Sequence, residues 1–294
     1  METITSRQRM MSVAGEIRRE GNRTIGFVPT MGALHEGHLS LVREARKSCD
    51  IVVVSIFVNP AQFGPQEDFN RYPRDLTHDS ALLAEFNVDY IFAPTVAEIY
   101  PKGFSTYVTV EGLSDQLEGA ARPGHFQGVT TVVALLLNII RPDFAFFGQK
   151  DAQQAIVIKR MVHDLAIDSE VVVLPTARAE SGLALSSRND YLDDEQRAAA
   201  TVLYRSLSRA AAEYDNGERK PARLIEAVKS IVATEPLARI DYVSINDAET
   251  LGQLDDLGDR PALISMAAFI GKTRLIDNVV LGKAKKQDAS GAKA

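Results

Sequence analysis

His35 and His38 stand three residues apart in the stretch Pro29-Thr30-Met31-Gly32-Ala33-Leu34-His35-Glu36-Gly37-His38. On a helix, two imidazoles at i and i+3 reach a common point, and each neutral ring donates one hydrogen bond. They follow a glycine turn and fall at a helix start, where backbone N–H groups and the helix dipole favour an anion. Three readings fit the pair: a nucleotide phosphate site, a helix cap, or a zinc pair. Zinc wants three or four ligands, and His78, His125 and His163 show no ligand spacing. Gly32 and Gly37 have the spacing of a phosphate-binding loop, but His38 and Leu39 stand where its Lys and Ser/Thr belong. The only Gly-Lys-Thr, at Gly271–Thr273, has Met266 in place of the leading glycine, and no Gly-x-Gly-x-x-Gly supports a dinucleotide fold.

Further clusters carry similar chemistry. Lys150-Asp151 offers a compact phosphate donor and a ribose acceptor, or a surface ion pair. Ser186-Ser187-Arg188 offers two hydroxyls and a guanidinium fork, or a polar interdomain loop. Gln62, Gln153 and Gln154 are two-way hydrogen bonders suited to a hydroxylated substrate. Arg122-Pro123-Gly124-His125 reads as a charged mobile loop or a turn. Asp75 and Asp79, four apart, are candidates for holding Mg²⁺, against the simpler reading of a solvated helix face. Cys49 reads as a small buried apolar residue.

The elements that must position these residues alternate between strand and helix. Strands are expected at 24–30, 50–59, 89–93, 143–147 and 170–174, with helices at 38–49, 75–87, 129–140 and 152–165. Such repeats imply a doubly wound, Rossmann-like α/β domain, whose ligands bind at the carboxyl ends of the strands. The clusters after Thr30, Asn59 and Phe147 lie at such ends. Two helical stretches at 193–216 and 221–235, then strands at 240–245, 262–269 and 273–281, suggest a smaller α+β domain. The expected organisation is a Rossmann-like nucleotide-binding domain over 1–187, a smaller α+β lid domain over 188–282, and a disordered Lys-rich tail over 283–294.

Composition narrows the classes. Of 294 residues, 45% are hydrophobic and 24% charged, which excludes a disordered or collagen-like chain. Thirty-nine acidic against 33 basic residues give a net charge of −6, which argues against broad nucleic-acid binding. The longest apolar run, 129–140, is shorter than the roughly 18 residues of a membrane span, and the N-terminus lacks a signal-peptide core. A single cysteine fits a reducing compartment. A cytoplasmic protein without membrane or nucleic-acid partners is expected.

In the order and spacing of PTMGALHEGH, SIFVNPAQF, RPGHFQGVTTVV, FGQKDAQQ, GLALSSRN and TRLIDN, the chain resembles the pantoate–β-alanine ligase (pantothenate synthetase) family from about Thr24 to Leu281. That resemblance implies a homodimer of the nucleotidyltransferase superfamily joining (R)-pantoate and β-alanine with ATP and Mg²⁺, giving pantothenate, AMP and diphosphate through a pantoyl adenylate. No organic prosthetic group is implied. By the same resemblance ATP is held by Met31, Gly32, Ala33, Leu34, His35, Glu36, Gly37 and His38, by Gly148, Gln149, Lys150 and Asp151, by the backbone of Ala177, and by Leu185, Ser186, Ser187 and Arg188. His38 takes the proton-donor role, with His35, Lys150 and Arg188 beside it; Gln62 contacts pantoate and β-alanine, and Gln154 contacts pantoate. Mg²⁺ is expected mainly on the ATP phosphates. Two positions depart from the family pattern: Ser181 replaces a usual Asp, and Leu135 a common Lys.

Overall fold

Val52, Val53 and Val54 succeed one another with no exposed surface, as do Phe27 and Val28. Successive strand residues point to opposite faces, so these strands are covered on both sides, as a parallel sheet requires. The computed structural model describes residues 1–65, 67, 69–258 and 260–282. The chain forms two compact units that part after Leu192. The expected tail, 283–294, lies outside the described residues.

The first unit holds a six-stranded sheet built from β1 (Glu2–Ile4), β2 (Ile25–Thr30), β3 (Ile51–Ile56), β4 (Tyr90–Phe92), β5 (Phe144–Gly148) and β6 (Glu170–Leu174). All pairings are parallel, in the order β1-β4-β3-β2-β5-β6. The chain builds outward from β2 through β3 to β4, then returns to the other side of β2 to lay down β5 and β6. The strand order therefore reverses between β2 and β5, and a crevice opens there at the carboxyl ends. The connecting helices are α1 (Arg7–Glu20), α2 (Glu36–Ser48), α3 (Leu76–Ala84), the single turns α4 (Val96–Ile99) and α5 (Glu118–Ala121), α6 (His125–Ile140) and α7 (Ala152–Asp164). Leu39, Leu41, Val42 and Ala45 of α2 bury against the sheet residues Val28, Val52, Val54 and Phe146.

Five of the six strands stand where the sequence places them; β1 and α1 are additions. The signal for α1 was present, because Met10, Val13, Ala14 and Ile17 are buried at 3.6-residue spacing behind the N-cap Ser6. Two helix starts move. The first glycine turn leads into α2 at Glu36, with His35 as its cap, so His38 is the helix's third residue. α6 starts at His125, four residues before its apolar run, because Gly124 adopts a left-handed φ of 82° and turns the chain into the helix. The Arg122–His125 segment is thus a turn.

The second unit contains α8 (Asp194–Ala200), α9 (Val202–Asp215) and α10 (Pro221–Val232), then an antiparallel sheet of β7 (Ala238–Asp247), β8 (Ala262–Ile270) and β9 (Thr273–Leu281). The helical stretch expected at 193–216 is interrupted at Thr201. Ile270 pairs with Thr273 across a two-residue turn whose Gly271 has φ 57°, so the Gly-Lys-Thr is a hairpin turn and not a phosphate loop. Among the described residues, no helix is long and apolar enough to cross a membrane.

One close approach ties the fold to the crevice. α6 runs against the 3-10 turn Pro60–Gln62, and a Cβ on Gly128 would lie 2.3 Å from the Ala61 carbonyl oxygen and 2.7 Å from Gln62 N. Backbone cannot yield as a side-chain tip can. Gly128→Ala is expected to destabilise the fold by about 1–3 kcal/mol, read from urea unfolding. An unchanged unfolding midpoint would show that this contact has slack.

Candidate active site

A cleft of about 240 Å³ opens at the β2–β5 reversal, lined by residues following β2, β3, β5 and β6. Its first wall is the loop between β2 and α2. Gly32 and Ala33 both take left-handed φ angles, 85° and 51°. Two such residues in succession turn consecutive N–H groups inward. The Asp79 carboxylate of α3 accepts from Ala33 N at 3.1 Å and Leu34 N at 2.8 Å and is 1% exposed. Burial pushes the Asp79 carboxyl above the usual range, against the pull of those two N–H groups. A Cβ on Gly32 would lie 2.9 Å from that carboxylate.

The two histidines close the loop as a capping box. Gly37 N donates to His35 Nδ1 at 3.1 Å, and His35 N approaches His38 Nδ1 at 3.4 Å. Each neutral ring therefore accepts at Nδ1 and carries its proton on Nε2. The rings lie 4.1 Å apart and both line the cleft. Gly37 lacks a side chain for the same reason: its Cβ would meet the His35 ring at 2.8 Å. The P-loop-like glycine spacing thus has two separate causes, a left-handed turn and a folded-over imidazole. Burial lowers both pKa values; His38 falls to about 3, with the neighbouring His35 adding to the effect, and Lys150 adds to that of His35. The cap and anion readings prove compatible, since Nδ1 makes the cap and Nε2–H is the donor left over. No group of three metal-binding side chains occurs among the described residues.

Opposite this wall, Gln149–Asp151 form a 3-10 turn after β5. Lys150 and Asp151 line the cleft, 3.5 Å apart. Burial works against the Asp151 carboxylate, yet the charges of Lys150 and Arg188 hold its pKa below the usual range. Beyond β6, Leu185 N donates to Ala177 O at 3.0 Å, which brings those two sequence-distant residues together. Ser186 caps the 3-10 turn Ser187–Tyr191, accepting from Arg188 N at 3.3 Å, and Ser187 Oγ donates to Ala33 O at 3.5 Å.

The third wall holds Gln62. Asn59, 1% exposed, donates from Nδ2 to Gln62 Oε1 at 3.0 Å and to Gly128 O at 3.1 Å, and its Oδ1 accepts from Tyr100 OH at 2.8 Å. Gln62 Nε2 lies 3.2 Å from Met31 Sδ. Arg122 and His125 also line this wall; burial, reinforced by Arg122, takes His125 down to about 4.

Of the residues singled out in the sequence, the cleft gathers Met31, His35, Gly37, His38, Gln62, Gly148, Lys150, Asp151, Gln154, Ala177, Leu185, Ser186, Ser187 and Arg188. Gly32, Ala33 and Leu34 shape the loop from behind, and exposed Glu36 pairs with Arg43 at 2.5 Å. Gln149 belongs to the turn that carries Lys150. Gln153 faces away from the cleft: its amide donates to Leu113 O and Gln116 O, both at 2.8 Å, and accepts from Glu118 N at 3.0 Å. Of the two Mg²⁺ candidates, Asp75 caps α3 through His78 N at 2.9 Å and buried Asp79 serves the first loop, and neither is among the cleft-lining residues. Ser181 is exposed in the turn of the Ala177–Leu185 hairpin, and Leu135 is half-buried on α6. Asn59 and Glu67 were not picked out individually; an Asn before Pro at a strand end is a legible turn former.

Residues 2–280 match the model of the pantoate-beta-alanine ligase family. The chain is 58% identical to a pantothenate synthetase of Pelotomaculum thermopropionicum over 91% of its own length and 94% of that protein's. It is 52% identical to one of Carboxydothermus hydrogenoformans over 96% and 99%. Among solved structures it superposes on pantothenate synthetase from Thermus thermophilus with TM-score 0.89 and 49% identity, covering 95% of this chain and 99% of that one. The Francisella tularensis pantoate-beta-alanine ligase, solved with beta-gamma ATP and beta-alanine, follows with TM-score 0.78 and 36% identity over 95% and 97%.

The depressed histidine values have a sign that can be tested. Between about pH 6.5, where an unfolded imidazole titrates, and the folded pKa of His38 near 3, the unfolded chain binds more protons. Stability must then fall as pH drops through that window. Urea unfolding from pH 7 to pH 4 is expected to show this loss, with a shallower slope in His38→Gln. Proton NMR should find the His38 ring unprotonated down to pH 5; titration near 6.5 would contradict the buried cap.

Proposed function

Because this chain belongs to the pantoate–β-alanine ligase family, we propose that it condenses (R)-pantoate with β-alanine at the expense of ATP, through an enzyme-bound pantoyl adenylate. The observation that carries this reading is the convergence of His35, His38, Lys150 and Arg188 on the one cleft that Gln62 also lines. A carboxylate is a poor electrophile, so its oxygen must first become a leaving group. The pantoate carboxylate attacks the α-phosphorus of ATP and diphosphate departs. The β-alanine amine then attacks the acyl carbon and AMP leaves.

The first step brings two anions together, and positioned donors must offset their repulsion. His35 and His38 suit this role as neutral Nε2–H donors, which stay in one protonation state at physiological pH. His38 therefore fills the proton-donor position as a hydrogen-bond donor. Lys150 and Arg188 supply charge, and the N-terminus of α2 adds its dipole. Gln62 meets the small substrates with its amide N–H, since its oxygen already accepts from Asn59. Gln154 completes the pantoate contacts. A Mg²⁺ ion held mainly by the ATP phosphates would offset their charge, as this metal commonly takes few carboxylates and several phosphate oxygens. Asp151, the acidic side chain among the cleft-lining residues, would be the protein group placed to share such an ion. The adenylate is open to hydrolysis, and a shielded cleft preserves it. The family likeness supports a homodimer, and the single cysteine, which fits a reducing compartment, supports a cytoplasmic location.

Diphosphate is expected from ATP, Mg²⁺ and pantoate alone, with AMP and sustained turnover after β-alanine is added. Diphosphate release indifferent to both acids would leave a nucleotidyltransferase with another acceptor. His38→Ala and Lys150→Ala should each slow diphosphate release by about 100-fold or more, with the fold retained by circular dichroism. A near-wild-type rate in either variant removes that residue from the mechanism.

A further inference from the structure

Three polar side chains form a continuous chain that ends on the backbone of Gln62. Glu67 accepts from Arg122 in a two-pronged pair, Nε to Oε1 at 2.7 Å and an Nη to Oε2 at 2.6 Å. The other Nη of Arg122 meets His125 Nε2 at 3.0 Å, and His125 Nδ1 meets Gln62 O at 2.8 Å. A second Arg122 contact reaches the same carbonyl at 3.4 Å. The proton positions follow from the partners. A guanidinium only donates, so His125 Nε2 must accept; a carbonyl only accepts, so Nδ1 must carry the hydrogen. The imidazole is therefore locked as the neutral Nδ1–H form. Burial and the Arg122 charge both lower its pKa, in agreement with that form. The Glu67 carboxyl is itself held low: burial raises it, but the Arg122 bonds and charge outweigh this.

Arg122 and His125 line the cleft, whereas Glu67 is not among its lining residues. Gln62 closes the 3-10 turn after β3, and its side-chain oxygen is fixed separately by Asn59. Its orientation is thus set from two directions, one through the side chain and one through the main chain.

We propose that Glu67, Arg122 and His125 are positioning residues that act through the Gln62 carbonyl to aim the Gln62 amide at the small-acid substrate. The inference rests on the function proposed above, for which Gln62 is the shared contact of pantoate and β-alanine. Removing the Glu67 charge frees Arg122 to turn, which takes the donor from His125 Nε2 and loosens the grip on Gln62 O. The effect should reach pantoate through Gln62 and leave ATP much less affected, since the histidine and lysine walls are built from other segments.

A double-mutant cycle separates this from general damage. Glu67→Gln is expected to raise the pantoate KM about three- to tenfold, with a smaller change in the ATP KM. In a Gln62→Ala background the same substitution should have no further effect on pantoate KM. Equal fold-changes in both backgrounds, or none in either, would overturn the proposal. Nitrogen-15 NMR of the histidine rings gives a readout independent of turnover. His125 should show the Nδ1–H tautomer in the wild-type chain and a mixture of tautomers in Glu67→Gln. The Nε2–H tautomer in the wild-type chain would also overturn it. If the wild-type chain released no diphosphate with pantoate, the functional reading would fail, while the NMR result would still judge the relay.

Discussion

Asp79 sits in the first unit with its carboxylate out of water and each oxygen facing one backbone N–H of the β2–α2 loop. A buried carboxylate is costly unless fully hydrogen-bonded, and here the bonds exist only while Gly32 and Ala33 hold left-handed angles. The two conditions enforce one another. The strained turn presents the N–H groups, and the carboxylate compensates for the strain. The rest of the first wall hangs from this arrangement: Tyr72 OH reaches Gly32 O at 3.4 Å, Ser187 reaches Ala33 O, and His35 emerges at the angle needed to cap α2.

The capping box then joins structure to chemistry. Caps are usually made by Ser, Thr, Asp or Asn, with Glu or Gln at the third helical position. Such a pair would place acceptors, and with acidic residues negative charge, at a helix N-terminus that the proposed function opens to a phosphate. Two imidazoles satisfy the same backbone donors with one nitrogen and present N–H with the other. The cap is therefore compatible with an incoming anion. His125 inverts the pattern, with Nδ1 donating and Nε2 accepting. The tautomers differ because one group of rings faces backbone N–H and the other faces a carbonyl and a guanidinium.

The architecture was legible in the sequence because β2, β3 and β5 are continuous apolar runs and the second unit's strands are long. β1 was not, because three residues with one buried side chain carry no period. Site residues quoted as contiguous motifs, such as Lys150-Asp151 and Leu185–Arg188, do come together. What stayed illegible depended on partners far along the chain. Asp79 looks like a solvated helix residue until the loop 45 residues upstream is seen to need it. Gln153 and Gln154 are indistinguishable in sequence, yet one braces the 113–118 segment and the other faces the cleft. The charge on Glu67 gains meaning only beside Arg122, 55 residues later.

The crevice between β2 and β5 also bears on how the molecule is made. These neighbours join Gly26 to Phe144, and the flanking bond from Ile25 to Asp143 spans 118 residues, more than any other pairing in the parallel sheet. Local helices and the β2–β3–β4 side close shorter loops, and loop-closure entropy grows with length. On the ribosome, β2, its glycine turn and the two histidines emerge long before the strand that faces them. For that interval the capping imidazoles and the apolar edge of β2 have no opposite wall, so the cleft is a late product of folding and the unpaired edge of β2 is a template for mispairing in the nascent chain.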